Sequence, residues 1–368
     1  MRIKLRQAFD LQMGKTPARN RPDYWNGDHK WISIADIGNA GKFLTKTKES
    51  ITKAGIDGSG IKVVPQGTVI MSFKLSIGKT AITSEDMYTN EAIMAFIDNG
   101  KFAVDTDYLY HLCCGTNWTA GTNKAVMGLT LNKATLLEKE IPLPDINEQH
   151  EIATKLDKID AIIAERQQQL ELIDQAVKSR FIELFGDYDL THPQESWVTI
   201  KEIGTVVGGA TPKTDHDEYW GGSYRWITPA ELDGDSGYIY DSVRKLTKAG
   251  VESCSLQEMP VGTVILSSRA PIGKVAIAGN TFYCNQGFKN IICKEGITPR
   301  YLYTVLLLNV EYLNSLGRGA TFKEISKGIV ESIRIPVPSM ELQQQFAAFV
   351  EQTDKSKYYS SLSFRYCQ

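Results

Sequence analysis

The sequence predicts an α+β fold in which two tandem β-rich domains with a few helices are separated by long coiled-coil spacer helices, with a pseudo-two-fold internal repeat. Three observations predict it. Residue patterns recur at a constant offset of 195 positions, which indicates a duplicated unit. Within each unit, runs such as 68–72 and 263–267 have strand character, whereas 301–308 has helical character. An apolar heptad pattern lies between the two copies.

The duplication is clearest in residues 65–82 and 260–277, which are identical at 11 of 18 positions without a gap. The shorter pairs that recur at the same offset are Thr16-Pro17 with Thr211-Pro212, Tyr24-Trp25 with Tyr219-Trp220, and Trp31-Ile32 with Trp226-Ile227. Pro-x-Pro stops end both β-rich parts, at 142–144 and 336–338. These limits predict a first domain at 1–145 and a second at 188–338.

Residues 146–187 are predicted to form a central coiled-coil helix, and residues 339–368 a second, shortened spacer helix. Steps of four and three residues separate the apolar positions of the first helix, and only Arg166 and Arg180 interrupt them. The predicted seam consists of Ile152, Leu156, Ile159, Ile163, Leu170, Ile173, Val177 and Leu184. That span would be about 50 Å long, and Gly186 would end it. A single amphipathic helix packed on a globular core is the alternative.

Charge alone does not announce a nucleic-acid binder, because 41 Lys and Arg face 43 Asp and Glu, for a net charge of −2. The acidity is concentrated, since residues 146–189 hold 10 acidic and 5 basic side chains. A near-neutral protein can still bind DNA through a local basic face.

Several classes of protein are excluded by what the sequence lacks. There is no apolar leader and no run near the ~20 apolar residues of a membrane helix, so a cytoplasmic protein is expected. The six cysteines and five histidines have no zinc-ligand spacing. Gly14-Lys15-Thr16 looks like the end of a phosphate loop, but Phe9 stands where the motif needs glycine. We therefore expect neither a metal site nor catalytic residues.

Taken together, the motifs Gly-Lys-Thr-Pro, Tyr-Trp, Trp-Ile, P-x-G-T-V-I and S-I-G-K resemble those of the specificity (S) subunit of type I restriction-modification enzymes. The two helix starts at 141–152 and 335–346 complete the likeness, which covers nearly the whole chain. Each short motif alone is weak. The set is specific as an ensemble.

The resemblance implies two target recognition domains, each reading one half of an asymmetric bipartite site in double-stranded DNA. It also implies that the helices space the domains and dock the methyltransferase (M) subunits, which methylate adenine with S-adenosylmethionine. Restriction (R) subunits would use ATP and Mg to cleave. The chain itself would bind no cofactor and catalyse nothing.

Residues shared by the two copies should be scaffold or phosphate contacts, whereas residues that differ can read bases. Lys79 and Lys274, in the shared Ile-Gly-Lys turn, are expected to meet phosphate. Lys74 and Arg269 occupy equivalent positions, and arginine is the better reader of guanine O6 and N7. The full predicted DNA-binding set is Lys15, Thr16, Arg19, Lys74, Lys79, Lys124, Thr211, Lys213, Arg269, Lys274, Arg318 and Lys323.

Three other interpretations remain open at this point. The chain could be a truncated or inactive specificity cassette, because residues 357–368 lack heptad order. An uncovered first seam would then be expected to drive self-association through residues 163–184. It could also be a protein-interaction scaffold without DNA readout. A fragment of a fused nuclease-methylase is disfavoured by the missing catalytic motifs.

Overall fold

The structure is a computed structural model that describes residues 1–74, 76–120, 131–232, 237–269, 271–319 and 323–365, with the side chains described as far as residue 357. The chain folds into two compact units, residues 1–164 and residues 165–368. Each unit is described by itself below. The mixed sheets and helices of both units confirm the predicted α+β class.

The strands of the first unit lie within its first 142 residues. They are β1 (Arg2–Lys4), β2 (Phe9–Met13), β3 (Trp25–Ile32), β4 (Phe43–Leu44), β5 (Glu49–Ile51), β6 (Val69–Ser72), β7 (Thr80–Thr83), β8 (Tyr88–Thr89), β9 (Ile93–Asp98) and β10 (Glu140–Pro142). Those of the second unit are β11 (Val198–Thr199), β12 (Gly204–Gly208), β13 (Trp220–Ile227), β14 (Tyr238–Ile239), β15 (Arg244–Leu246), β16 (Val264–Leu266), β17 (Val275–Ala278), β18 (Tyr283–Cys284), β19 (Lys289–Cys293) and β20 (Arg334–Ile335).

The two units share one sheet topology. A five-stranded sheet has the order β2-β9-β6-β7-β4 in the first and β12-β19-β16-β17-β14 in the second. A three-stranded sheet follows, β5-β3-β8 and β15-β13-β18, and a two-stranded sheet joins β1 to β10 and β11 to β20. The duplication read from the sequence is therefore a duplication of the fold.

Helices pack on these sheets and continue beyond them. In the order of the chain they are α1 (Leu5–Ala8), α2 (Ile34–Asn39), α3 (Lys53–Ser59), α4 (Thr106–Gly115), α5 (Lys133–Leu137), α6 (Ile146–Phe185), α7 (Ile200–Ile203), α8 (Lys248–Glu252), α9 (Pro299–Leu308), α10 (Val310–Ser315), α11 (Lys327–Ser332) and α12 (Met340–Arg365). Three one-turn 3-10 helices occupy Pro22–Tyr24, Asp217–Tyr219 and Pro229–Glu231. In the part of the chain that is described, no helix combines the length and apolar character needed to cross a membrane.

The long helix α6 contains 40 residues, or about 60 Å of helix, and the division between the units falls within it. Gly186 follows it with a φ of 88°, so the glycine stop predicted from the sequence is confirmed. Seven of the eight predicted seam residues are half-buried, whereas Ile159 is 39% exposed. Arg166 and Arg180, which interrupt the seam, are half-buried as well.

The C-terminal helix α12 packs against the second half of α6 within the second unit. The rings of Phe181 and Phe346 are 5.3 Å apart, and Lys357 forms an ion pair with Asp174. Val177 and Leu184 pack on the core cluster that holds Phe346 and Val350. The sequence predicted that the first helix would bury only part of its seam and leave an exposed stripe within 163–184. That expectation is wrong for Val177 and Leu184, which are covered by the cluster that holds Phe346 and Val350 of α12.

A fully buried glutamine fixes the start of each long helix to its unit. In the second unit Gln343 accepts a hydrogen bond from the Thr298 amide at 2.8 Å and donates to the carbonyls of Gly296 and Pro338 at 3.1 and 2.9 Å. The first-unit residue Gln149 makes the equivalent three bonds, which it shares with Asp105, Ala103 and Pro144. Both glutamines are 0% exposed, so each buried side-chain amide has all three of its hydrogen bonds made by backbone groups of its own unit.

Candidate functional site

In each unit several of the predicted DNA-binding residues lie at one end of the five-stranded sheet. This end, called the polar edge here, is where β2 and β6 end and β9 begins in the first unit, as the pairings Met13–Met94 and Ser72–Ile93 show. In the second unit it is where β12 and β16 end and β19 begins. Loops that leave strand ends carry binding residues on a rigid support.

A pair of tryptophans holds the first loop of each polar edge. Trp31 is buried and donates from Nε1 to the Lys15 carbonyl at 3.0 Å, and Trp25 donates to the Ala18 carbonyl at 3.2 Å. The second-unit pair, Trp226 and Trp220, repeats both bonds at the same distances to the carbonyls of residues 210 and 213. These tryptophans therefore support the core and the loop.

Glycine is required where this loop leaves its strand. A Cβ on Gly14 would lie 2.0 Å from the Thr89 carbonyl oxygen, and one on Gly209 would lie 2.0 Å from that of Cys284. Real Cβ atoms do not approach oxygen this closely, so only glycine lets the two backbone segments touch. The glycine that resembled part of a phosphate loop thus has a packing role.

The polar edge of the first unit contains two hydrogen-bonded pairs, of which one is an ion pair. Thr16 donates from Oγ1 to the Glu91 carboxylate, a bond that lowers the carboxyl pKa of Glu91. Arg19 forms an ion pair with Glu49, and this hydrogen bond lowers the carboxyl pKa of Glu49. Lys74 is near enough to Glu91 to contribute to its low pKa. The predicted residues Thr16, Arg19 and Lys74 are thus brought together.

The polar edge of the second unit holds a different set. Thr211 donates to Gln286 Oε1 at 2.6 Å, where Gln286 takes the place of Glu91. Arg269 Nε lies 3.0 Å from Glu324 Oε2, and Lys289 Nζ lies 3.2 Å from Glu324 Oε1. Partial burial opposes the charge of Glu324, but the hydrogen bonds from Lys289 and Arg269 outweigh it and lower its carboxyl pKa.

A guanidinium group lies over the first tryptophan of both units, yet it comes from different sequence positions. In the first unit Arg19 lies 3.9 Å from the Trp25 ring centre. In the second unit Arg244 lies 3.4 Å from the Trp220 ring centre. Arg244 stands at the position of Glu49, since each pairs with the second tryptophan of its unit across the strands. Both units therefore stack a guanidinium group on the first tryptophan, but the arginine that supplies this group comes from non-equivalent sequence positions.

This exchange predicts a coupled pair of substitutions in the first unit. Glu49→Arg alone should crowd two guanidinium groups on one tryptophan, and Arg19→Thr alone should leave Glu49 without its cation; each should cost about 0.5–1 kcal/mol. The double variant recreates the second-unit arrangement and should recover most of that loss. Urea unfolding of the four proteins measures the coupling. Simple additivity would contradict the shared stack.

The other predicted residues have individual positions. Lys274 donates from Nζ to the Pro229 carbonyl at 3.1 Å, in the segment that follows β13. The Lys79 ammonium group lies beside Gly38, in the equivalent segment that follows β3. Lys15 donates to the Ser59 carbonyl at 3.3 Å. Lys213 and Lys323 are exposed, as is Arg318, whose backbone pairs with Glu324. Lys124 lies outside the described residues.

Sequence reasoning missed the acceptors of the polar edge. Glu91 and Gln286 could have been found, because they align at the repeat offset and both carry a side-chain oxygen. The opposite charges of Glu49 and Arg244 at aligned positions were also visible. Alignment of the two copies did not point to Glu324 or Lys289 in this way. Met94, for example, stands at the first-unit position that corresponds to Lys289.

Residues 1–173 and 195–358 match the family model of the type I restriction modification DNA specificity domain. The chain is 43% identical over 184 residues to the type I restriction enzyme MjaIX specificity subunit of Methanocaldococcus jannaschii. The aligned residues cover 48% of this chain and 42% of that protein. It is 28% identical over 228 residues to the EcoR124I/EcoR124II specificity subunit of Escherichia coli, covering 58% and 55%. The chain thus spans about half the length of the curated relatives it matches.

Solved structures have the same fold. One, from work on the complex assembly and conformational transition of the type I R-M system, aligns with a TM-score of 0.60 at 18% identity and covers 100% of this chain and 94% of the other. The S subunit from M. genitalium aligns with a TM-score of 0.57 at 15% identity, covering 100% and 92%. At these identities the likeness is one of fold.

Proposed function

Because this chain belongs to the family of the type I restriction modification DNA specificity domain, we propose that it is the non-catalytic DNA-specificity subunit of a type I restriction-modification enzyme. One observation supports this most strongly. The same fold occurs twice with the same tryptophan-supported loop, while the charged residues of the polar edge differ between the copies. Shared framework with altered side chains is what two readers of different DNA sequences require.

In this proposal each unit reads one half of an asymmetric bipartite site in double-stranded DNA. Cations that are free to turn toward phosphate supply affinity that falls with salt, and the residues that differ between the units supply the choice of base. The first polar edge pairs Arg19 with Glu49. In the second unit Arg244 lies on the Trp220 ring and forms no ion pair with any residue that the structure describes. The two half-sites should therefore differ.

The proposal includes partners that carry the chemistry. Methyltransferase (M) subunits would bind S-adenosylmethionine and methylate adenine, and restriction (R) subunits would use ATP and Mg to cleave. The helices α6 and α12 would dock the M subunits. We place the assembly in the cytoplasm, where its DNA substrate lies.

The acidic face of α6 gives a direct test of that docking. Glu165 and Glu171 are exposed on this helix and lie off its half-buried seam. Reversing both to lysine should weaken co-purification with the M subunit at least tenfold and leave the chain folded, because a matched charge surface sets the choice of partner. The matched control reverses Glu252 and Glu295, which are exposed in the second unit. Equal retention of M by both double variants would contradict this placement.

The test of the proposed function is binding of the chain with its co-purified M subunit to randomised duplexes. Mobility-shift selection should enrich one bipartite sequence, and the affinity should fall steeply between 50 and 200 mM salt, as expected for phosphate contacts. Enrichment of no sequence, with the M complex intact, would instead support a protein-interaction scaffold.

A further inference from the structure

The carboxylate of Glu324 lies between two cations at the second polar edge. One oxygen faces Arg269 Nε at 3.0 Å, and the other faces Lys289 Nζ at 3.2 Å. The lysine side chain is only 14% exposed, and its ammonium group also lies 3.4 Å from Ser268 Oγ. Lys289 is therefore the more buried cation of this cluster, and Arg269 is the cation exposed to solvent.

The backbone holds this arrangement in place. Arg269 and Glu324 form a β-bridge, and the Ile325 amide donates to the Ser268 carbonyl at 2.9 Å. Glu324 also exchanges two backbone hydrogen bonds with Arg318, each at 3.0 Å. The backbone that carries this carboxylate is thus held on both sides before any ligand arrives, which is how a binding group is preorganised.

The way the pair forms leaves a specific group available. Glu324 engages Arg269 through Nε, and the structure records no partner among the described residues for the two terminal nitrogens, on a side chain that is 47% exposed. Two parallel N–H donors on a rigid plane match O6 and N7 of guanine in the major groove. We propose that Arg269 reads a guanine in the second half-site, and that Glu324, held by Lys289, is the positioning residue that orients it.

The first unit has different residues at two of these positions. Lys74 occupies the position of Arg269 and presents a point charge instead of a fork, and its ammonium group lies 5.2 Å from the Phe73 ring centre. Met94 occupies the position of Lys289. Guanine recognition by this arrangement should therefore be confined to the half-site that the second unit reads. This inference rests on the proposed function of the chain.

The experiment measures affinity of the M-bound chain for duplexes that carry each substitution of the second half-site. Wild type should lose affinity when one G·C pair is replaced. Arg269→Ala and Arg269→Lys should abolish that preference, a loss of about 10- to 100-fold at that single pair, while discrimination elsewhere is kept. Arg269→Lys retains charge, so it separates the fork from simple attraction to DNA.

Glu324→Gln tests the positioning role. It should reduce preference at the same base pair and raise affinity for unrelated DNA, since a negative charge leaves the polar edge. In an Arg269→Ala background it should change that preference no further. Lys289→Met, which introduces the first-unit residue at this position, should also reduce preference at that base pair, but it should lower affinity for unrelated DNA because it removes a positive charge. Lys294→Met is the matched control, because Lys294 follows the opposite end of the same strand and donates to the Lys201 carbonyl at 2.9 Å.

The outcomes separate cleanly. If wild type selects a bipartite site but Arg269→Ala weakens every duplex equally, Arg269 is a phosphate contact and the inference is overturned while the proposed function stands. Preference retained in both Glu324→Gln and Lys289→Met would overturn the positioning role. If wild type selects no sequence at all, the proposed function fails first, and this inference with it.

Discussion

Replacing Gln343 by leucine is expected to lower the free energy of unfolding by about 3 kcal/mol or more. The amide has no exposure and serves three backbone groups, at Thr298, Gly296 and Pro338. Leucine fills similar space but removes the side-chain partner of all three groups, at about 1–3 kcal/mol for each group that is left unsatisfied beneath it. Gln149→Leu should behave alike in the first unit, where the same three bonds occur.

The neighbouring residue supplies the control for this prediction. Gln344 is exposed on the same helix, so Gln344→Leu should change stability by no more than about 0.5 kcal/mol. Chemical denaturation followed by circular dichroism measures both. Equal midpoints for the two leucine variants would show that the buried hydrogen bonds contribute nothing to the junction between helix and unit.

Substituting Gly209 with alanine should displace the loop that carries Thr211. The added methyl group would lie 2.0 Å from the Cys284 carbonyl oxygen and 2.4 Å from that of Asn285, and both are backbone atoms that cannot rotate away. Overpacking of this kind costs about 1–3 kcal/mol. We expect a lower melting temperature together with a loss of affinity for the second half-site. Moving this loop would also displace the Ala210 carbonyl, which accepts the hydrogen bond from Trp226 Nε1.

Gly328→Ala is the matched control for that substitution. Gly328 lies in α11, and a Cβ there would meet nothing within 4 Å. Alanine favours helix over glycine by about 1 kcal/mol, so this variant should be as stable as wild type or more so. A melting temperature for Gly209→Ala as high as that of Gly328→Ala would contradict the close approach of the two backbone segments.

The fold could be predicted from the sequence because long runs of the duplicated unit align without a gap. Aligned runs such as 65–82 and 260–277 become the same strands, β6 with β7 and β16 with β17, in both units. The end of α6 could also be predicted, since Gly186 supplies the left-handed residue that stops a helix. Local patterns of this kind depend on residues that are neighbours along the chain.

The candidate site could be predicted only in part, because its pairings join distant positions. Arg269 and Glu324 are 55 residues apart and meet through a β-bridge that no periodicity announces. The guanidinium on the first tryptophan comes from position 19 in one unit and 244 in the other, so alignment of the copies hides their equivalence. Buried Gln149 and Gln343 align in both helix starts but look like ordinary polar helix residues.

The central claim is that each unit reads its own half of one DNA site. The most direct measurement exchanges residues 188–338 for the corresponding unit of a specificity subunit with a different target, and sequences the methylated bases in cells that express the hybrid with its M subunit. One half of the methylated bipartite sequence is expected to change while the other half stays as in wild type. A change in both halves, or an unchanged sequence from a hybrid that still assembles and methylates, would contradict it.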